Sequence, residues 1–127
     1  MAEVVLDASA ILALLRREPG FERVAAVMSE ARVSAVNFAE VGSFLAKAGH
    51  SLAEMRATLD SLRLAVVAFD EEQAIEAARL RPLTMSIGLS LGDRACLALA
   101  RLRGLPAMTA DRSWATLELG IDVSVVR

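Results

Sequence analysis

The order of apolar and polar positions divides the chain into short β-branched runs and longer helical stretches. Residues 3–6 (EVVL) read as a strand that Asp7 closes. Residues 8–17 read as a helix halted by Pro19 and Gly20. Residues 21–30 place Phe21, Val24, Ala25 and Met28 on one face of a second helix. A brief strand is expected over 32–35, then a third helix over 36–48 ending at Gly49. Ser51 with Glu54 forms a capping box that opens a helix to about residue 62. Residues 64–69 (LAVVAF) have the unbroken apolar character of a buried parallel strand. Asp70 with Gln73 caps the next helix, which ends before Pro82, and residues 82–90 read as a loop.

The stretch from 91 to 103 is apolar nearly all round, so as a helix it must be covered on most sides. Gly104 stops it, and Pro106 opens a short strand ending at Thr109. A short helix around Trp114 and a last strand over 122–126 complete the chain. Strands alternating with helices predict one α/β domain over 1–127, a central parallel sheet with helices on both faces.

Composition narrows the picture. The chain is 55% hydrophobic, above the 45–50% or so usual for a soluble domain, yet no apolar run approaches the roughly 20 residues of a membrane span. The surplus suggests a subunit or partner interface. A single cysteine, Cys96, and no basic-then-apolar leader suit a cytoplasmic protein. The net charge of −2 does not advertise nucleic-acid binding. Thirteen arginines against one lysine leave phosphate recognition open, as does the bland explanation of high-GC coding.

Most of the sixteen acids sit in first turns or on polar faces, where helix dipole or solvent accounts for them. Four ask for more. Asp7 follows the first strand; its plain role is an N-cap. Glu40 lies four residues from both Val36 and Phe44, in that helix's apolar stripe, and is expected to face a polar site. Asp93 shares a face with Cys96, Leu97 and Ala100, and Asp111 follows the strand ending at Thr109. Asp7 and Asp111 fall at carboxyl ends of strands, where α/β sheets bind ligands; Glu40 and Asp93 project from helices that begin there. Four such carboxylates repel one another, so without a metal at least one should have a raised pKa. Mg2+ or Mn2+ would neutralise them. Zinc is disfavoured by one histidine and one cysteine, and His50 reads as a solvated loop residue. No P-loop or dinucleotide fingerprint is present.

VVLDASAIL, VNFAEV, LSLGDRACLALA and MTADRSW together resemble the PIN-domain ribonucleases, and among them the VapC-type toxins of toxin–antitoxin pairs. The resemblance runs the length of the chain, in order. It implies that Asp7, Glu40, Asp93 and Asp111 are a metal-binding catalytic quartet, with Ser9 and Thr109 as polar neighbours. It also implies a five-stranded parallel sheet, a homodimer and inhibition by a small antitoxin that occludes the acidic pocket.

The function expected is therefore a Mg2+- or Mn2+-dependent endoribonuclease hydrolysing RNA phosphodiester bonds, the toxin of a type II pair. Arg94, Arg112 and Arg81 are candidate RNA contacts at the rim. Two rivals stand: a phosphotransfer protein using Asp7, and a non-catalytic module whose acidic pocket receives a partner's arginine. The first two helices (Leu12, Leu15, Phe21, Val24) and the third (Phe44, Leu45) are the expected walls of a partner groove.

Overall fold

The computed structural model describes residues 3–127. Met1 and Ala2, counted in the expected single domain, lie outside them. Five strands, β1 (Val4–Leu6), β2 (Ala31–Ser34), β3 (Ala65–Val67), β4 (Ala107–Thr109) and β5 (Val123–Val125), pair in the order β3-β2-β1-β4-β5. Every pairing is parallel. The central place of β1 follows from its residues: Val4 and Leu6 enter one core with Val33 and Met108, and Val5 enters the other with Ala107. Side chains alternate across a strand, so VVL, apolar throughout, needs cover on both faces.

The first core is covered by α1 (Ala8–Arg16), α2 (Phe21–Ala25), α3 (Ala35–Lys47) and α4 (Leu52–Ser61), through residues such as Ile11, Val24, Val41 and Leu59. The second is covered by α5 (Glu71–Arg79), α6 (Leu91–Arg103) and Trp114. Gly92 and every residue from Arg94 to Ala100 are buried, as the all-apolar pattern of α6 requires. Gly104, at φ +64, ends that helix in the left-handed conformation. The capping box of Ser51 and Glu54 and the Asp70 cap are both formed.

Three expectations need correction. The run LAVVAF suggests a buried strand, but β3 is the edge of the sheet: Ala65 and Val66 are exposed. An apolar run reports what a segment prefers, whereas its place in the sheet is set by pairing partners elsewhere. The helix expected over 21–30 ends at Ala25, and Met28–Glu30 form one 3-10 turn before β2. Here α2 is held to β5 instead, Arg23 donating to the Val125 carbonyl and the Ser124 hydroxyl. Gly20 makes the preceding turn possible, because at φ +92 a Cβ would fall on the Val126 carbonyl. His50, read as solvated, is half-buried. No helix among the described residues is long and apolar enough to cross a membrane.

Candidate active site

The sheet's strand order changes direction at β1, which leaves a crevice at the carboxyl ends of β1 and β4. Asp7 and Thr109 meet there. Thr109 Oγ1 donates to Asp7 Oδ2 at 2.6 Å, and the Ala10 N–H donates to Oδ1 at 2.8 Å. Ser9 Oγ is 2.8 and 2.9 Å from the two carboxylate oxygens. Ser9 and Thr109 are themselves fixed by backbone N–H donors, from Ala110 at 2.9 Å and Asp111 at 3.0 Å. Asp7 is thus an N-cap, as its plain reading has it, and also the centre of a polar knot between two strand ends.

It is only 2% exposed. Burial pushes its carboxyl up from 3.8 to about 6, against the lowering effect of the Thr109, Ala10 and Ser9 hydrogen bonds. The charge of Asp93 adds to the rise but is the smallest cause. A raised carboxyl was expected from repulsion; desolvation is the larger reason.

Asp93 lies in the first turn of α6, in a reciprocal capping box with Ser90. The Asp93 N–H donates to Ser90 Oγ at 3.2 Å, and Asp93 Oδ2 accepts from the Ser90 N–H at 2.9 Å. Capping and site placement are compatible, since a cap fixes a carboxylate at a helix start, here at the sheet's ligand-binding edge.

Glu40 departs from expectation. The buried face of α3 is Asn37, Val41, Gly42 and Leu45, and Glu40 is exposed beside it. The row of Val36, Glu40 and Phe44 flanks the core because α3 turns a different hundred-degree sector inward, which spacing alone does not select. The Glu40 carboxylate nonetheless lies against α6: a Cβ on Gly92 would fall on its oxygens. Asn37 Nδ2 donates to Glu40 Oε1 at 2.8 Å and to the Gly92 carbonyl at 2.9 Å.

Asp7, Asp93 and Glu40 lie near enough to the buried start of α6 for their charges to reach one group there. The thiol of Cys96, raised first by its complete burial, is raised further by the charges of all three. Asp111 joins them through the backbone, its N–H on Thr109, while its carboxylate caps the following turn through the Ser113 N–H and hydroxyl at 2.9 and 2.8 Å. It lines a cleft of about 500 Å3 with Glu18, Arg112 and Arg127. The larger clefts, about 780 and 820 Å3, include none of the four acids.

Among the described residues, no three His, Cys, Asp or Glu side chains are gathered closely enough to enclose an ion by themselves. An all-oxygen donor set of this openness fits Mg2+, which takes one or two carboxylates and keeps several waters. Asn37 Oδ1, a buried acceptor without a partner, fits a hydrated ion nearby. Of the arginines expected at the rim, Arg81 and Arg112 are exposed. Arg94 is not at the rim. It is 8% exposed and turns inward, Nη1 donating to the Ala77 carbonyl on α5 at 2.9 Å.

The PIN domain family model matches residues 4–118. The chain belongs to the PIN domain family. Several solved structures share this PIN domain's fold. The DNA-bound VapBC structure from Salmonella typhimurium is 24% identical, with full coverage of both chains and a TM-score of 0.73. VapBC-5 of Mycobacterium tuberculosis, a member of the VapBC family of toxin–antitoxin systems, is 27% identical over 100% of this chain and 99% of its own, with a TM-score of 0.67. FitAcB from Neisseria gonorrhoeae is 23% identical over 95% and 96%, with a TM-score of 0.68. No curated protein matches by sequence.

Two residues of this PIN domain's site escape a reading of motifs. Asn37 carries a legible signal, a polar residue three before Glu40 and so on a neighbouring helical position. Gly92 carries none, because the need for a missing Cβ comes from another helix.

Proposed function

We propose that the protein is a divalent-metal-dependent endoribonuclease and the toxin of a toxin–antitoxin pair. The observation that supports this most is Asp7: a carboxylate 2% exposed at the β1–β4 crevice, reached by the charge of Asp93 and with no cation partner among the described residues. Its hydrogen bonds offset only part of the cost of burial, since its carboxyl remains raised to about 6. A divalent cation would offset the rest. The presence of this carboxylate in a PIN domain, together with structural neighbours such as VapBC-5 of a toxin–antitoxin family, favours a nuclease of that kind.

Asp7, Asp93 and Glu40 would hold Mg2+ or Mn2+, with Asp111 adding charge from the far side of Thr109. When bound, such an ion supplies acidity to an attacking water and positive charge to the scissile phosphodiester. Ser9 and Thr109 keep the Asp7 oxygens in one orientation. Arg112 and Arg81, exposed, can pair with RNA phosphates; Arg94 cannot. Phosphotransfer through Asp7 loses ground, because Ser9 rather than a second acid stands two residues on and Lys47 is the only lysine in the chain.

A partner helix would suit the apolar cleft between α3 and α4, about 820 Å3, lined by Phe38, Met55, Leu59 and Val66. The expected groove over α1 and α2 is less suited: Val24 is core, and Leu12, Leu15 and Phe21 are already half-buried. A homodimer belongs to the same proposal.

The test incubates structured RNAs with wild type, Asp7→Asn and Asp93→Asn, in Mn2+ or in chelator. Cleavage should need metal and fall by a factor on the order of 10² or more in each variant. Asp70→Asn and Glu54→Gln, both helix caps, should cut normally. Equal cleavage by Asp7→Asn and wild type, with contaminating nuclease excluded, would sink the reading; binding of RNA without cleavage would leave the non-catalytic module.

A further inference from the structure

Resting on that metal-dependent reading, we infer that Asn37 is a positioning residue: its amide clamps the Glu40 carboxylate onto the first turn of α6, beside Asp93. Three observations carry this. Asn37 is 1% exposed on the buried face of α3, and both hydrogens of its amide are used, one on Glu40 Oε1 at 2.8 Å and one on the Gly92 carbonyl at 2.9 Å. Gly92 leaves the space into which the Glu40 carboxylate fits, since a Cβ there would fall on both its oxygens. Asn37 Oδ1 is buried with no hydrogen-bond partner among the described residues.

A device for stability alone would not look like this. An exposed glutamate gains little from being fixed and loses rotamer freedom. A buried amide with an unpaired acceptor is destabilising where an aliphatic side chain would bury apolar surface instead. The arrangement makes sense if a mobile carboxylate has to stand at a defined place next to Asp93. Asn37 touches Glu40 and the α6 backbone, so it acts through Glu40. A ligand's supporting hydrogen bonds commonly matter nearly as much as the ligand.

The experiment measures Mn2+ affinity by titration calorimetry, with melting in chelator alongside, for Asn37→Ala, Asn37→Ser, Gly92→Ala, Glu40→Ala, Asp7→Asn and the Asn37→Ala/Glu40→Ala pair. Asn37→Ala should weaken Mn2+ binding about 10- to 100-fold, and Asn37→Ser, which keeps one donor, should weaken it less. Gly92→Ala should weaken binding while its chelated protein melts no lower than wild type, because the added methyl displaces the end of a flexible side chain and alanine favours helix. Without the Glu40 carboxylate, Asn37→Ala should change Mn2+ affinity less than about twofold, the mark of residues acting as a unit.

Additive losses in the pair would make Asn37 a merely structural bridge and overturn the inference. So would wild-type Mn2+ affinity in Asn37→Ala and Gly92→Ala while Asp7→Asn abolishes binding; the nuclease reading would then stand without it. Asp7→Asn that binds Mn2+ and cuts RNA like wild type would remove the underlying reading. If Asn37→Ala fails to fold, Asn37→Ser and Gly92→Ala decide between the same outcomes.

Discussion

A buried aspartate without a cation makes the metal-free protein sensitive to pH. The folded pKa of Asp7 lies near 6, against an ordinary 3.8. A raised folded pKa means that the native state holds the proton more tightly than the unfolded chain does. The resulting stability is fully present below about pH 4 and is lost as pH rises through 6. A shift of this size corresponds to about 3 kcal/mol. In chelator, urea unfolding of wild type should therefore weaken between pH 4 and pH 7 by a step that Asp7→Asn lacks, and the variant should be the more stable at pH 7. Mn2+ at a thousandfold excess over Kd should reverse the order, adding about 4.1 kcal/mol to wild type. Parallel pH curves for the two proteins would show that Asp7 is already neutralised by something else.

At the scale of elements, β2 (ARVS) and β3 (AVV) carry unequal weight, and the more apolar of the two is the less buried. Val33 in β2 is fully buried, whereas Val66 in β3 is 45% exposed at the sheet edge. Val33→Ala should lower stability by roughly 2 kcal/mol, through lost burial and the cavity it leaves. Val66→Thr should stay within about 0.5 kcal/mol of wild type, since it keeps the β-branch on an exposed surface. Equal losses in urea titrations would mean that β3 is covered in the protein in solution, by a second copy or another chain. The elements near the site share one device: Asp7 and Asp111 each cap the helix or turn that follows, and Asp93 closes the capping box of its own helix, so the bonds that start an element also orient a carboxylate.

For the molecule as a whole, the acidic edge and the apolar cleft between α3 and α4 are separate features that one partner can engage together. Leu52, 78% exposed at the start of α4, lines that cleft. If the proposed function holds, Leu52→Glu should leave folding and metal-dependent cleavage within twofold of wild type while weakening binding of a cognate antitoxin by tenfold or more. Calorimetry with the antitoxin, beside cleavage by the free protein, checks both halves. Undiminished affinity would place the partner elsewhere.

Much of this was legible in the chain itself. The period of apolar residues, the Ser51 and Asp70 caps and the Gly104 stop are local, and local preferences survive into the fold because tertiary contacts agree with them. The all-round apolar α6 and the strand-end positions of Asp7 and Asp111 also followed from sequence, since they depend on neighbours in the chain. What the tertiary structure decided were questions of which neighbour from elsewhere comes close. The edge position of β3 depends on no sixth strand pairing it among the described residues. Arg94 turns inward because α5 offers it a carbonyl, and Glu40 stands outside the core stripe because α3 turns Asn37, Val41 and Leu45 inward, while Gly92 of another helix makes room for its carboxylate. The raised pKa of Asp7 arises from burial by elements a hundred residues away, and no pattern within one segment carries that distance.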